Sequence, residues 1–180
     1  MRGFFIIIGF TVGLSTSTGF AKTRVITTST DLADLVLQVG RDQVEVEAIC
    51  KGNQDIHYVQ ARPSFMVKLR RADLVVSIGL DLEIGWLPLL IRGARNPKIQ
   101  PGGTGHLNLG TFVTPIGLPK TVDASQGHLH PRGNPHYWLD PIRVAALIPT
   151  IVKRLSAISP SNAAFFAANG SRYMQLLQSK

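Results

Sequence analysis

The stretch Asp73-Leu74-Val75-Val76-Ser77-Ile78-Gly79 is apolar almost without interruption. A strand with one wet face alternates apolar and polar residues. A continuous run belongs to a strand covered on both faces, as in a parallel sheet between two helix layers. The flanking sequence agrees. Arg24-Val25-Ile26-Thr27-Thr28 is a β-branched run that predicts a first strand. Ser29, Thr30 and Asp31 then supply a helix start, and Leu32, Leu35, Val36 and Val39 recur at helical spacing until Gly40. Val44 to Cys50 alternates as a second strand, a polar loop runs from Lys51 to His57, and Pro63-Ser64 opens a helix carrying Phe65, Met66, Leu69 and Ala72. After the third strand, a helical stretch is predicted from Leu82 to about Ile91, and a weaker strand near Leu107–Val113. This βαβαβαβ order predicts an α/β fold with a four-stranded, mainly parallel sheet flanked by helices. Ligands of such sheets sit beyond the C-terminal ends of the strands, where the loop carrying His57 falls.

Residues 114–135 are rich in Gly, Pro and His, lack periodicity and read as an exposed loop. From Asp140-Pro141 onward Val144, Leu147, Ile148, Ile151, Val152 and Leu155 mark a helix, which Pro149 is expected to kink or split. Ser159-Pro160-Ser161-Asn162 breaks the chain before a second helix through Phe165, Phe166, Tyr173, Leu176 and Leu177. That helix is expected to expose an apolar face on Phe165, Phe166, Leu176 and Leu177.

Residues 1–21 carry Arg2, an apolar stretch from Phe4 to Leu14, a Ser/Thr-rich piece and Gly19-Phe20-Ala21. This is the pattern of a cleaved secretory signal peptide, too short and too interrupted for a comfortable membrane span, so no stable span is expected after cleavage. No Cys lies near the cleavage point to take a lipid. The formal charge of +8 first suggests nucleic acid or an anionic surface. Much of the excess, however, comes from Arg143, Lys153, Arg154, Arg172 and Lys180, a region without acids and without interleaved exposed aromatics, and an exported chain does not meet the chromosome. No nucleic-acid partner is expected. The one cysteine, Cys50, closes an apolar alternation and reads as a small buried residue rather than a nucleophile.

The residues with chemistry to offer are five histidines, His57, His106, His128, His130 and His136. Neutral imidazole is a common ligand for zinc, manganese or iron. No HExxH or CxxC pattern closes a local site, so any metal must gather ligands from distant loops. His57, in Asp55-Ile56-His57-Tyr58, follows a strand; His136, in Asn134-Pro135-His136-Tyr137-Trp138-Leu139-Asp140-Pro141, precedes a helix. Stiff loops suit preset ligands, although histidines that merely cap a turn would look the same. His128 and His130 flank Leu129 in the loop, where they either solvate it or capture metal loosely as auxiliary ligands. His106 has no visible partner, and Trp86 and Trp138 read as packing residues.

At these residues the sequence resembles the metal-binding solute receptors of zinc/manganese ABC transporters, bilobed proteins of the bacterial periplasm or cell surface. Asp55 to Ser64 matches the D-x-H-x-x-x-x-x-P-S segment, Ala72 to Val76 and Gly79 to Glu83 match the A-D-L-V and G-L-x-L-E stretches, and Asn134 to Pro141 matches N-P-H-x-W-L-D-P. Ile56 stands where the family often has Pro. The resemblance covers essentially all of residues 24–180. It implies that His57 and His136 are metal ligands and that a His-containing loop precedes the second. It implies a divalent cargo, with Zn2+ first and Mn2+ or Fe2+ as alternatives, periplasmic location, and a membrane permease as partner. It also implies a domain plan: signal peptide 1–21, an N-terminal metal-binding lobe 22–140, and a helical segment 141–180 that begins the long connector between lobes.

In the family a second lobe supplies the remaining ligands, a His or Glu and then an Asp, and this chain ends at Lys180 inside what resembles the connector. The expectation is therefore a truncated form with an incomplete site, since two imidazoles leave half of a tetrahedral zinc shell to other donors. The alternative is a stand-alone metal chaperone or interaction module that completes its site by dimerising or with a partner chain. An enzyme is not expected: no carboxylate stands beside a His in a hydrolase pattern, and no nucleophile is evident.

Overall fold

The computed structural model describes residues 21–119 and 130–179; the signal-peptide reading of 1–21 therefore lies almost wholly outside it. Four strands, β1 (Thr23–Thr27), β2 (Val44–Ala48), β3 (Leu74–Ser77) and β4 (His106–Asn108), form one parallel sheet in the order β2-β1-β3-β4. Five helices accompany them: α1 (Thr30–Gly40), α2 (Pro63–Arg71), α3 (Leu87–Ala94), α4 (Pro141–Ile158) and α5 (Ala163–Gln178).

All four residues of β3 are buried, as the unbroken apolar run demands. Its side chains alternate between two cores. Leu74 and Val76, with Val25 of β1 and Leu107 of β4, pack under α1, α4 and α5; Val75, with Ile26, packs under α2 and α3. The order reverses between β1, which leads to β2 on one side, and β3, which leads to β4 on the other. The crevice beyond the C-terminal ends of β1 and β3 is thus the switch point of the sheet, the place where such folds bind ligands.

Helix starts follow the local chemistry. Ser29 Oγ accepts from Leu32 N at 3.2 Å to cap α1, and Asp140 Oδ1 accepts from Ile142 N at 2.9 Å to cap α4, with Pro141 in the first turn.

Three expectations need correction. The helix placed at Leu82 begins only at Leu87; residues 79–86 form consecutive turns, with Gly79, Leu80 and Asp81 at φ 82°, 52° and 65°. Pro88 suits a first turn, and Glu83 is turned inward, so an earlier start is foreclosed. The fourth strand is shorter than 107–113, because Leu109–Phe112 winds into a short 3-10 turn. Pro149 does not split α4, which runs through it: the buried stripe Val144, Leu147, Ile148, Ile151 and Leu155 holds the helix on the sheet despite the missing N–H.

α5 lies antiparallel to α1. Asn169 Nδ2 donates to Val39 O at 3.1 Å, near the C-terminus of α1, while Leu177 lines a groove with Thr30 at its start. Phe166 is fully buried, so the expected apolar face is smaller than the sequence suggests; Phe165 and Leu176 are its exposed members. Cys50 is buried, and burial pushes its thiol pKa up, as expected of a packing residue.

Gly79 begins the turn after β3 at a φ that L side chains rarely adopt, and a Cβ there would lie 1.9 Å from Asn108 Oδ1. Gly79→Ala therefore meets both backbone strain and a clash, and should lower stability by about 2 kcal/mol or more in a urea melt.

Candidate metal centre

The turn that replaces the expected helix is held by one carboxylate. Glu83 is 4% exposed. Its Oε1 accepts from Thr28 Oγ1 and from Ile78 N, both at 2.7 Å, and its Oε2 accepts from Gly79 N at 3.0 Å. It thereby joins the end of β1 to the end of β3 at the switch point. Burial pushes its pKa above the ordinary carboxylate range, and these donors pull it back.

Two side chains and one backbone carbonyl reach outward from this segment and the strand end before it. Trp86 Nε1 donates to Ile56 O at 2.8 Å, next to His57. Ile78 O accepts from the buried Tyr137 hydroxyl at 2.7 Å, next to His136; burial raises the Tyr137 pKa well above its ordinary value. Asp81 Oδ2 pairs with Arg132 Nε at 2.9 Å, two residues past His130.

The result is a convergence of three imidazoles. One ring nitrogen from each of His57, His130 and His136 lies within 4.8 Å of the other two, and all three residues are half-buried. The rings of His57 and His130 stack at 5.3 Å, and His136 approaches them at 6.2 and 5.6 Å. A tetrahedral ion with bonds near 2.1 Å asks for nitrogens about 3.4 Å apart, so side-chain rotation is enough to close the set.

Two of the rings are oriented by the same local device. Asp55 Oδ1 accepts from His57 N at 2.9 Å and from the Nδ1 edge of the ring at 2.6 Å. Asn134 Oδ1 accepts from His136 N at 2.9 Å and from its Nδ1 edge at 2.7 Å. An oxygen at Nδ1 places the proton there and makes Nε2 the basic nitrogen, as in most imidazoles poised for metal. Burial, and secondly the neighbouring His57, lowers the pKa of His136, which keeps it neutral and able to donate its lone pair.

The sequence-predicted pair His57 and His136 is therefore brought together, and His130 joins it. His128 lies outside the described residues. His106 is elsewhere, in β4, with its Nδ1 2.9 Å from Ile99 O. Trp86 is buried, and the Trp138 ring stands 5.1 Å from that of His136. Sequence reasoning missed the roles of Asp55 and Asn134 as ring orienters. The signal was there, in an Asx residue two positions before each histidine. It also missed Glu83, for which only the G-L-x-L-E stretch was a sign.

Comparison with known proteins identifies the family of the chain. The family profile described as zinc-uptake complex component A, periplasmic, matches residues 25–179. The manganese ABC transporter substrate-binding lipoprotein PsaA of Streptococcus pneumoniae is 27% identical over 96% of this chain and 54% of its own length. The zinc-binding lipoprotein AdcA of the same species is 28% identical over 88% of this chain and 31% of its own. A periplasmic metal-binding protein of Candidatus Liberibacter asiaticus superposes with a TM-score of 0.68 at 24% identity, over 86% of this chain and 52% of that one, which shows the shared fold. The chain spans about half the length of PsaA and about a third of AdcA.

Glu83→Gln tests the anchor. Whichever way a Gln amide turns, its NH2 faces a backbone N–H of Ile78 or Gly79, so a buried donor loses its acceptor. Equilibrium unfolding should show a loss of about 1–3 kcal/mol.

Proposed function

The chain belongs to the periplasmic zinc-uptake component A family, and from that premise we propose that it is the solute-binding part of an ABC importer, taking up a divalent cation through His57, His130 and His136. The observation that carries this reading is the meeting of three imidazole nitrogens, one from the loop after β2 and two from the segment that leads into α4, two of them preset by an oxygen on Nδ1. Three neutral nitrogens in a half-buried setting suit zinc, and also manganese and iron, since imidazole discriminates little among them. A lone three-histidine face leaves at least one coordination position to water or to a further protein group.

In this reading the protein is a binding protein and no bond in the cargo is made or broken. Binding takes place outside the cytoplasm, and a membrane permease receives the ion. Among the described residues no helix is long and apolar enough to cross a membrane. The geometry favours binding in two ways. Asp55 and Asn134 hold the rings in one tautomer, which lowers the ordering cost of binding. The lowered His136 pKa reduces competition from protons for that ring.

Calorimetric titration of the purified chain with zinc tests the proposal. One ion should bind, and His57→Ala, His130→Ala and His136→Ala should each weaken it by about tenfold or more, since even orienting groups behind a ligand are worth that much. Asp55→Ala should weaken it about 10- to 100-fold with the ligand itself intact. Three histidine variants that bind as the parent does would refute the site.

A further inference from the structure

His57 and His136 are each fixed by a carboxylate or amide oxygen two residues earlier, and the place of His130 follows from how its loop returns to the sheet. The returning limb is short. Gly133 N donates to His130 O at 2.9 Å, which closes a turn over residues 130–133, and Asn134 N donates to Ile116 O at 2.7 Å. Gly133 sits at φ 92°, so close to the outgoing limb that a Cβ would meet Pro115 Cβ at 2.7 Å. These contacts hold one side of the turn. The other side is held by Arg132, whose Nε lies 2.9 Å from Asp81 Oδ2.

Asp81 is well placed for this. It is the last of three consecutive residues with positive φ, immediately before Leu82 and Glu83, in the segment that the buried Glu83 carboxylate ties to β1 and β3. Leu80 and Leu82 on either side are buried, so the backbone that carries the Asp81 carboxylate is rigid although the Arg132 guanidinium is 70% exposed.

We propose that Asp81 is a positioning residue for His130: through Arg132 it pins the returning limb of the loop so that this imidazole faces His57 and His136. The assignment rests on the three-histidine reading above and deepens it, because it adds to the two histidines oriented within their own turns an ion pair that reaches the limb of the third from a distant element. An exposed ion pair is worth little on its own, so the clamp biases His130 toward the cluster without locking it there.

Cobalt(II) reports both affinity and coordination, because its visible bands change as nitrogen ligands leave. Asp81→Asn removes the charge while keeping a residue that tolerates positive φ, so the turn is spared. Arg132→Gln removes the charge from the other end, and Arg132→Lys restores it. The parent should bind one Co2+. Asp81→Asn and Arg132→Gln should bind about two- to fivefold more weakly, the size of one exposed ion pair, with visible bands moved toward those of His130→Ala. Arg132→Lys should recover most of the parent spectrum. The decisive measurement is the double variant: Asp81→Asn added to His130→Ala should cost nothing further, because the ligand it positions is gone. The same loss with and without His130, or a parent spectrum in Asp81→Asn, overturns the positioning role while leaving the three-histidine site standing. A parent that holds no cobalt overturns the site itself, and the positioning role with it.

Discussion

The carboxylate of Glu83 is the constraint on which the rest of the molecule is arranged. A parallel sheet leaves the ends of its central strands without partners at the switch point, and backbone N–H groups there must find acceptors. Glu83 supplies them for Ile78 and Gly79 and takes Thr28 from β1 as well. Burying a carboxylate is expensive unless it is fully hydrogen-bonded, and three donors meet that need. In exchange, residues 79–81 adopt positive φ and the chain turns through Trp86 before a helix begins at Leu87, which presents Asp81 and Trp86 in directions a helix would not allow.

Each histidine loop then leans on this one segment. Trp86 supports the carbonyl of Ile56 beside His57, Ile78 receives the Tyr137 hydroxyl beside His136, and Asp81 faces Arg132 beyond His130. The histidines come from two places far apart in the chain, yet their common support, residues 78–86, is nine residues long. Such a layout makes the geometry of a metal face a property of the sheet rather than of the loops.

Much of this was legible in the sequence, and the remainder was hidden for physical reasons. β3 was visible because an unbroken apolar run has few other uses, and α1 because its cap, its stripe and its terminal glycine agree. His57 and His136 were visible because each lies beside recognisable neighbours. The turn at 79–86 was not, since Leu82, Trp86, Leu87 and Ile91 fit helical spacing, and only a long-range bond from Glu83 to Thr28 decides against it. Phe166 reads as surface on a solitary helix, but the sheet face beneath α4 and α5 takes it in. His130 could not be told from His128 by spacing, because what places it is a turn closed at Gly133 and an ion pair with a residue some fifty positions earlier in the chain.

The central claim is that three imidazoles from two distant stretches of the chain make one metal face. Anomalous diffraction from crystals soaked in zinc tests it most directly. The account predicts a single strong peak about 2.1 Å from Nε2 of His57, His130 and His136. A peak that touches only one of them, or that lies at another part of the surface, would contradict it.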